Sequence, residues 1–552
     1  MEAILQARYI TRGSRNGTNQ RLYTAFLDIK GAFDRVPRDR VWQKMYGRFR
    51  IRGKLLRVII DLYKDTTGEA SVNDLYTRSF PIFSGVLQGS VLGPTLFLLF
   101  VDDLLKELHD TRIGISMGTF ILSVLAYADD ITIFSLKPDN LQRLLSICHH
   151  WAIRNGMIFG LDKCYAVVFN SSTKKPEALP TFHFGGSISC PEQLVTFYPE
   201  DAPELYLGFK VTDHVARIKL DSTVTLPNSA VPQYRRKPNS AYLKLIKSKF
   251  MRARHGASQL CSNKAILTPY ISTRLYKTLQ RSTLLYCIEL GDWDVDQVKE
   301  LEILQAKALR TCLNSDLQCR QALPRLFCGV EPIEARRDLH TLLYYAKLCS
   351  YEPLSFPFMV HRARTNDPDI PVGFHCTVLY ILKKYSLEKY WDNIPNVSHN
   401  DLMDIFKKHI WHHHWKKDIA SALAYDSPFS SALSNGSLLP RYPYKSDFFM
   451  NCFTDIDLSR SDLSSILRFW MTPPRQRVCS CTLPTSNIAK HLIFDCPKTY
   501  SLVSSYRTTL SNQLQKNLHP DSLGSFFSGI ACSVDEMRAF NRLVGKFDYP
   551  RF

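Results

Sequence analysis

Apolar runs broken by single acids mark the first third of this 552-residue chain. Ala25, Phe26 and Leu27 lead directly into Asp28, and a short apolar run of that kind predicts a buried strand ending on a carboxylate. Val124 to Ala126 on one side and Ile131 to Phe134 on the other bracket Asp129-Asp130, which predicts a hairpin with acids at its turn. Elsewhere the period is helical. Pro94 is followed by Thr95 to Leu108, apolar at Leu96, Phe97, Leu99, Phe100 and Leu104; this predicts a buried helix opened by proline, too short and too soon charged to span a membrane. Helix is also predicted near Val41 to Tyr63 and over Asp139 to Asn155, where Leu141, Leu144, Leu145, Cys148 and Trp151 keep helical spacing. A polar stretch through Pro227, Pro232 and Pro238 breaks the period and reads as a linker, after which Ala241 to Ser350 is helical throughout. The pattern is an α/β unit followed by an all-α one.

The acids at the strand ends carry the chemistry. An Asp-Asp pair alone suits any turn, because Asp bonds its own backbone. Carboxylates gathered at strand ends, however, can clamp two divalent cations, the arrangement phosphoryl transfer uses: one ion lowers the pKa of an attacking 3′-hydroxyl, and both neutralise the phosphoryl group and its leaving pyrophosphate. Between the acids lies Ser84-Gly85-Val86-Leu87-Gln88-Gly89-Ser90-Val91-Leu92-Gly93-Pro94, whose glycines permit close backbone approach.

Together, Asp28-Ile29-Lys30-Gly31-Ala32-Phe33-Asp34, the glycine block with Gln88-Gly89 and Gly93-Pro94, and Tyr127-Ala128-Asp129-Asp130 resemble, in order and spacing, the reverse transcriptases of LINE-type retrotransposons, which lack long terminal repeats. The resemblance implies an RNA-directed DNA polymerase with an α/β palm of right-hand architecture, fingers incomplete, then an all-α thumb and a small C-terminal zinc-knuckle-like segment. It makes Asp28 and Asp129 ligands of two Mg²⁺ or Mn²⁺ ions, with the Ile29 carbonyl a third ligand and Asp130 a supporting carboxylate. Phe33 matches the aromatic gate that crowds a ribose 2′-hydroxyl; Gln88, Gly89 and Tyr127 match positions at the template and incoming nucleotide. Leu161-Asp162-Lys163-Cys164 resembles a later block, with Lys163 two residues after Leu161; it implies Lys163 as proton donor to pyrophosphate, where a solvated lysine is the plainer reading. Tyr206-Leu207-Gly208-Phe209 resembles the primer grip. The partners implied are an RNA template, a DNA primer and deoxynucleoside triphosphates, with no membrane.

The organisation that follows is a palm with a remnant of fingers over 1–212, a linker over 213–240, a helical thumb and post-thumb region over 241–350, a helical basic region over 351–470, a Cys/His segment over 471–500 and a helical tail over 501–552. Leu275-Tyr276, Leu285-Tyr286, Trp293, Glu302, Gln305, Arg310 and Gly329 to Pro332 resemble the family's thumb, whose helices would track a duplex. Cys479, Cys481, His491 and Cys496 form C-x-C-x₉-H-x₄-C, resembling the family's post-thumb knuckle, and three thiolates with one imidazole suit a structural Zn²⁺. His412, His413 and His414 cannot share one helix face and are expected to form a solvated or RNA-contacting patch rather than a metal site.

Charge adds partners and removes classes. The net charge is +19 and the pI about 9.2, an excess that attracts polyanions in a salt-dependent way. Basic residues gather at Arg235, Arg236, Lys237, Lys244, Lys247, Lys249, Arg252 and Arg254, then at Lys407-Lys408 and Lys416-Lys417. Fifteen scattered Cys are expected to be reduced thiols. No signal peptide or membrane span is legible, so an intracellular protein of cytoplasm and nucleus, not a secreted one, is expected. Only 27 residues precede Asp28, fewer than the family's fingers region needs, so the chain is expected to be an N-terminally truncated copy or a misplaced start that binds nucleic acid and polymerises poorly. Two readings stand: an RNA-directed DNA polymerase, or a noncatalytic nucleic-acid-binding remnant lacking the triphosphate-binding fingers.

Overall fold

A seven-residue strand, β1 (Leu22–Asp28), is buried along nearly its whole length, and its Tyr, Thr and Phe content suits a pleated surface packed on both faces. In the computed structural model the described residues are 21–169 (apart from 74, 118 and 119), 179–197 (apart from 188 and 189), 216–217, 233–234, 240–262, 269–313 (apart from 291 and 292), 321–424 with gaps between 354 and 397, and 444. The chain divides into two units, Met1–Val215 with Glu352–Asp369, and Ala216–Tyr351 with Ile370–Phe552.

In the first unit β1 is the middle of a five-stranded sheet with β2 (Val124–Tyr127), β3 (Asp130–Ser135), β4 (Tyr165–Phe169) and β5 (Thr196–Phe197), in the order β5-β4-β1-β3-β2. All pairings are antiparallel except β4 with β5. The sheet is covered by α4 (Gly93–Asp110) and α5 (Pro138–Asn155), both opened by proline, as the sequence predicts for the first of them. Phe97, Phe100 and Leu104 of α4 and Leu141, Leu144, Leu145, Cys148 and Trp151 of α5 are fully buried in one core with Ala25 and Leu27. A polar bolt crosses this core: Trp151 Nε1 donates to Asp103 Oδ1 at 2.8 Å, and Lys44 Nζ donates to the same oxygen at 2.9 Å.

Between them lie α1 (Ala32–Arg35), α2 (Arg38–Gly47) and α3 (Gly53–Tyr63). The helical stretch expected near Val41 to Tyr63 is thus two helices. The break is local: Arg50 and Gly53 take left-handed φ of 55° and 66°, while the carbonyls of Lys44 and Met45 receive the amides of Phe49 and Ile51 and end α2.

Beyond Ser240 the described residues of the second unit are mainly helical, as the period beyond Ala241 indicates, with α6 (Ser240–Ser262), α7 (Pro269–Leu275), a π turn over Tyr276–Gln280, α8 (Arg281–Leu285), α9 (Val295–Cys312), α10 (Ala322–Cys328), α11 (Ile333–Ser350), α12 (Phe374–Lys384) and α13 (His399–Leu423). Of the linker, the described residues Ala216–Arg217 and Gln233–Tyr234 pair antiparallel. The thumb-like residues are mostly core. Tyr276 donates to Gln305 Oε1 at 2.7 Å, Gln305 donates to the Glu331 carbonyl at 3.0 Å, and Arg325 bridges Glu302 and Asp418.

The three histidines on α13 do not form one patch. His412 and His413 are exposed, but His414 is 2% exposed, because the helix turns its side chain against Tyr385. The Tyr385 hydroxyl lies 2.6 Å from Asp338 Oδ2 and 2.7 Å from His414 Nε2. With one proton to give, Tyr385 donates to the carboxylate, and His414 Nε2–H donates to Tyr385. Among the described residues no helix is long and apolar enough to cross a membrane.

Candidate active site

Asp28 ends β1 with both backbone groups turned towards the β4 edge: its N–H donates to Cys164 Sγ at 3.3 Å and its carbonyl accepts from Gly160 N at 2.8 Å. On the other edge it stands opposite Asp130. With its hydrogen bonds spent on the first edge, this is the closer, non-hydrogen-bonded kind of antiparallel pair, so both carboxylates leave the same face with Cβ atoms about 5 Å apart. Tyr127 pairs with Asp130, leaving Ala128 and Asp129 as the two-residue tip of the hairpin. Ala128 carries a left-handed φ of 54°, a conformation costing a non-glycine residue about 1 kcal/mol or more. The strained tip holds Asp129 near Asp28.

The electrostatics agree. Burial pushes the Asp28 carboxyl above its ordinary range, the Lys163 ammonium pulls it down, and Asp129 and Asp162 push it up again. Lys163 Nζ stands 3.7 Å from Asp28 Oδ2, so the lysine read from sequence as a proton donor forms an ion pair with the principal acid. Ile29 pairs with Phe159 in a single bridge flanked by Lys30 N to Ile158 O and Gly160 N to Asp28 O. Its own N–H and C=O therefore point away from that edge, towards the Asp129-Asp130 hairpin.

The glycine block docks on α1, the short helix that follows Asp28 in the chain. Gly85, at φ 85°, lies so close to α1 that a Cβ would fall 2.6 Å from the Asp34 carbonyl oxygen. Around it Gly85 N donates to Val36 O, Val86 N to Phe33 O and Ser84 Oγ to Asp34 O. Gln88 Nε2 donates to Asp34 Oδ1 at 2.7 Å, whereas a Cβ on Gly89 would meet nothing within 4 Å. The Phe33 ring, half-buried, stacks on buried Phe97 with centroids 4.8 Å apart, and Tyr127 is exposed.

The structure thus gathers Asp28, Ile29, Asp129, Asp130 and Lys163 at one end of the sheet, and Phe33 with Gln88 on the adjoining α1 and its loop. Three contributors were not singled out in the sequence: Asp34, Asp162 and Cys164. All three sit inside the quoted blocks, yet their partners lie 54, 134 and 136 positions away, so spacing gave no signal. Tyr206, Leu207, Gly208, Cys479, Cys481, His491 and Cys496 lie outside the described residues. Among the described residues no three His, Cys, Asp or Glu side chains form a cation cage. Two carboxylates and a carbonyl are a hard oxygen set, which fits Mg²⁺, an ion that keeps most ligands for water and substrate phosphates.

Residues 3–211 match the family described as reverse transcriptase (RNA-dependent DNA polymerase). The chain is 30% identical over 155 residues to the RNA-directed DNA polymerase from mobile element jockey of Drosophila melanogaster, an overlap of 27% of this chain and 16% of that one. Over 164 residues it is 29% identical to the Pol polyprotein from the type-1 retrotransposable element R2 of Popillia japonica, 29% of this chain and 27% of that one. The chain therefore spans less than a third of the length of these relatives. Among solved structures it is similar to telomerase from Candida Tropicalis with a fragment of telomeric RNA at 11% identity and a TM-score of 0.28, covering 75% of this chain and 49% of that one.

Proposed function

We propose that this chain, whose residues 3–211 match the reverse transcriptase family and which is similar to proteins of the jockey and R2 elements, is a LINE-type member of that family and carries the catalytic palm of an RNA-directed DNA polymerase that extends a DNA primer along an RNA template with deoxynucleoside triphosphates. The reading rests above all on the register of β1 and β3, which sets Asp28 opposite Asp130 with Asp129 beside it. Asp28, Asp129 and the Ile29 carbonyl would hold two Mg²⁺ or Mn²⁺ ions, with Asp130 supporting them. Bound there, such ions lower the pKa of the primer 3′-hydroxyl and offset charge on the transferred phosphoryl group.

The side chains do the rest. Phe33, braced by Phe97, crowds a ribose 2′-hydroxyl and so selects deoxynucleotides. Gln88, oriented by Asp34, and Gly89, open on its outer side, lie against the template and nascent pair, with Tyr127 at the hairpin rim. Lys163 gives a proton to departing pyrophosphate. Tyr206, Leu207 and Gly208 would grip the primer, and α6, which exposes Lys244 and Arg252, would meet duplex phosphates. Cys479, Cys481, His491 and Cys496 would hold one structural Zn²⁺; elemental analysis should find one zinc per chain, lost in Cys481→Ser with His491→Ala, and a zinc-free protein would contradict it. This work would be done inside the cell, in cytoplasm and nucleus.

The test is RNA copying by the intact protein carrying this chain. Extension of a DNA primer on an RNA template should stop on chelation and resume with Mg²⁺ or Mn²⁺; extension unaffected by chelation would refute the reading.

A further inference from the structure

One short loop encloses Asp28. Gly160 donates to its carbonyl, Cys164 Sγ accepts from its N–H, Lys163 pairs with its Oδ2, and Asp162 acts on its carboxyl through space. Gly160 has an ordinary φ, so the backbone alone does not call for glycine there. Space does: a Cβ would stand 3.2 Å from Asp28 Oδ2 and 3.4 Å from Asp162 Oδ1, tighter than most side-chain contacts allow. The hydrogen face of Gly160 therefore keeps open the oxygen that Lys163 pairs with.

The carboxylates of Asp129 and Asp162 both repel that of Asp28 here, and Lys163 brings the one positive charge that Asp28 feels most strongly. Its ammonium faces the oxygen that a hard cation would need. Its side chain is 56% exposed, and a flexible four-carbon stem lets such a charge swing out at small cost.

We propose that Lys163 is a resident counter-ion for Asp28 which a divalent cation must displace, and that Gly160 is bare so that this exchange has room. In this role Lys163 is a positioning residue that sets cation affinity, and its displaced ammonium is then the one that gives a proton to pyrophosphate. The proposal rests on the reading of Asp28 and Asp129 as cation ligands, and goes beyond it in saying what holds Asp28 before the cation arrives.

Mn²⁺ binding to the intact protein, followed by the loss of the free-ion paramagnetic resonance signal, tests it. Removing an exposed competing ion pair should tighten binding modestly, so Lys163→Met is expected to lower the Mn²⁺ dissociation constant about threefold at low salt and less at high salt. Lys163→Arg keeps the cation and should match the natural chain, while Gly160→Ala should weaken binding. The Asp129→Ala variant reports on the underlying reading. If it leaves Mn²⁺ binding unchanged, the cation site itself is misassigned. If it weakens binding while Lys163→Met leaves affinity unchanged or lowers it, the site stands and the counter-ion role is overturned; Lys163→Gln, of similar length, guards against a peculiarity of Met.

Discussion

Phe33 is held by more than its place in the chain. Its ring stacks on Phe97, which is fully buried, so the exposed edge of Phe33 is braced from behind. Phe33→Ala should therefore raise ribonucleotide incorporation relative to deoxynucleotide, measured as the ratio of kcat/KM values, and cost roughly 1–2 kcal/mol of stability through the lost stacking and burial. An unchanged ratio would remove Phe33 from the gate. The main acids were legible because a strand-ending carboxylate and an acidic hairpin tip are local patterns. The Lys163 to Asp28 pair and the Gln88 to Asp34 bond were not, since they depend on loops folding back across the sheet.

At the scale of elements, the glycine block behaves as two parts. Gly85 combines a left-handed φ with a carbonyl oxygen where a Cβ would sit, whereas Gly89 has the left-handed φ alone. Gly89→Ala should cost about 1–2 kcal/mol, and Gly85→Ala more than ~3 kcal/mol because the loop must also leave α1 and release Gln88 from Asp34. Equal shifts in the urea midpoint would contradict the distinction. Hydrophobic period revealed α4 and α5, which bury full stripes. It did not reveal the interruption between α2 and α3, because an arginine in left-handed conformation leaves no mark on that period.

Across the molecule, the second unit stores charge out of water. Burial, with Lys384 nearby, pushes His414 down to about 3 despite the carboxylates of Glu334 and Asp338, and His413 and Tyr385 also face it. Burial, with Arg336, likewise pushes His340 down to about 4. The unfolded chain protonates these imidazoles near pH 6.5 and the folded chain does not, so stability should fall as pH drops below about 6.5 towards 4. Burial opposes ionisation of Asp338, yet Arg337 and Lys384 hold its carboxyl well below the ordinary range, and that contribution is lost only at lower pH. Urea midpoints independent of pH between 7 and 4.5 would contradict this. The network was beyond sequence reading, because Glu302, Arg325, Asp338, His414 and Asp418 are dispersed along the chain and look like ordinary surface charges until five helices enclose them.

All these scales meet in the acids at the end of β1 and the tip of the β2–β3 hairpin. The most direct measurement is primer extension on an RNA template with Mg²⁺ by the intact protein and its Asp129→Ala variant, alongside template binding. Loss of a cation ligand should abolish extension while binding persists, because the basic helical unit is untouched. Near-natural extension by Asp129→Ala would show that the chemistry lies elsewhere.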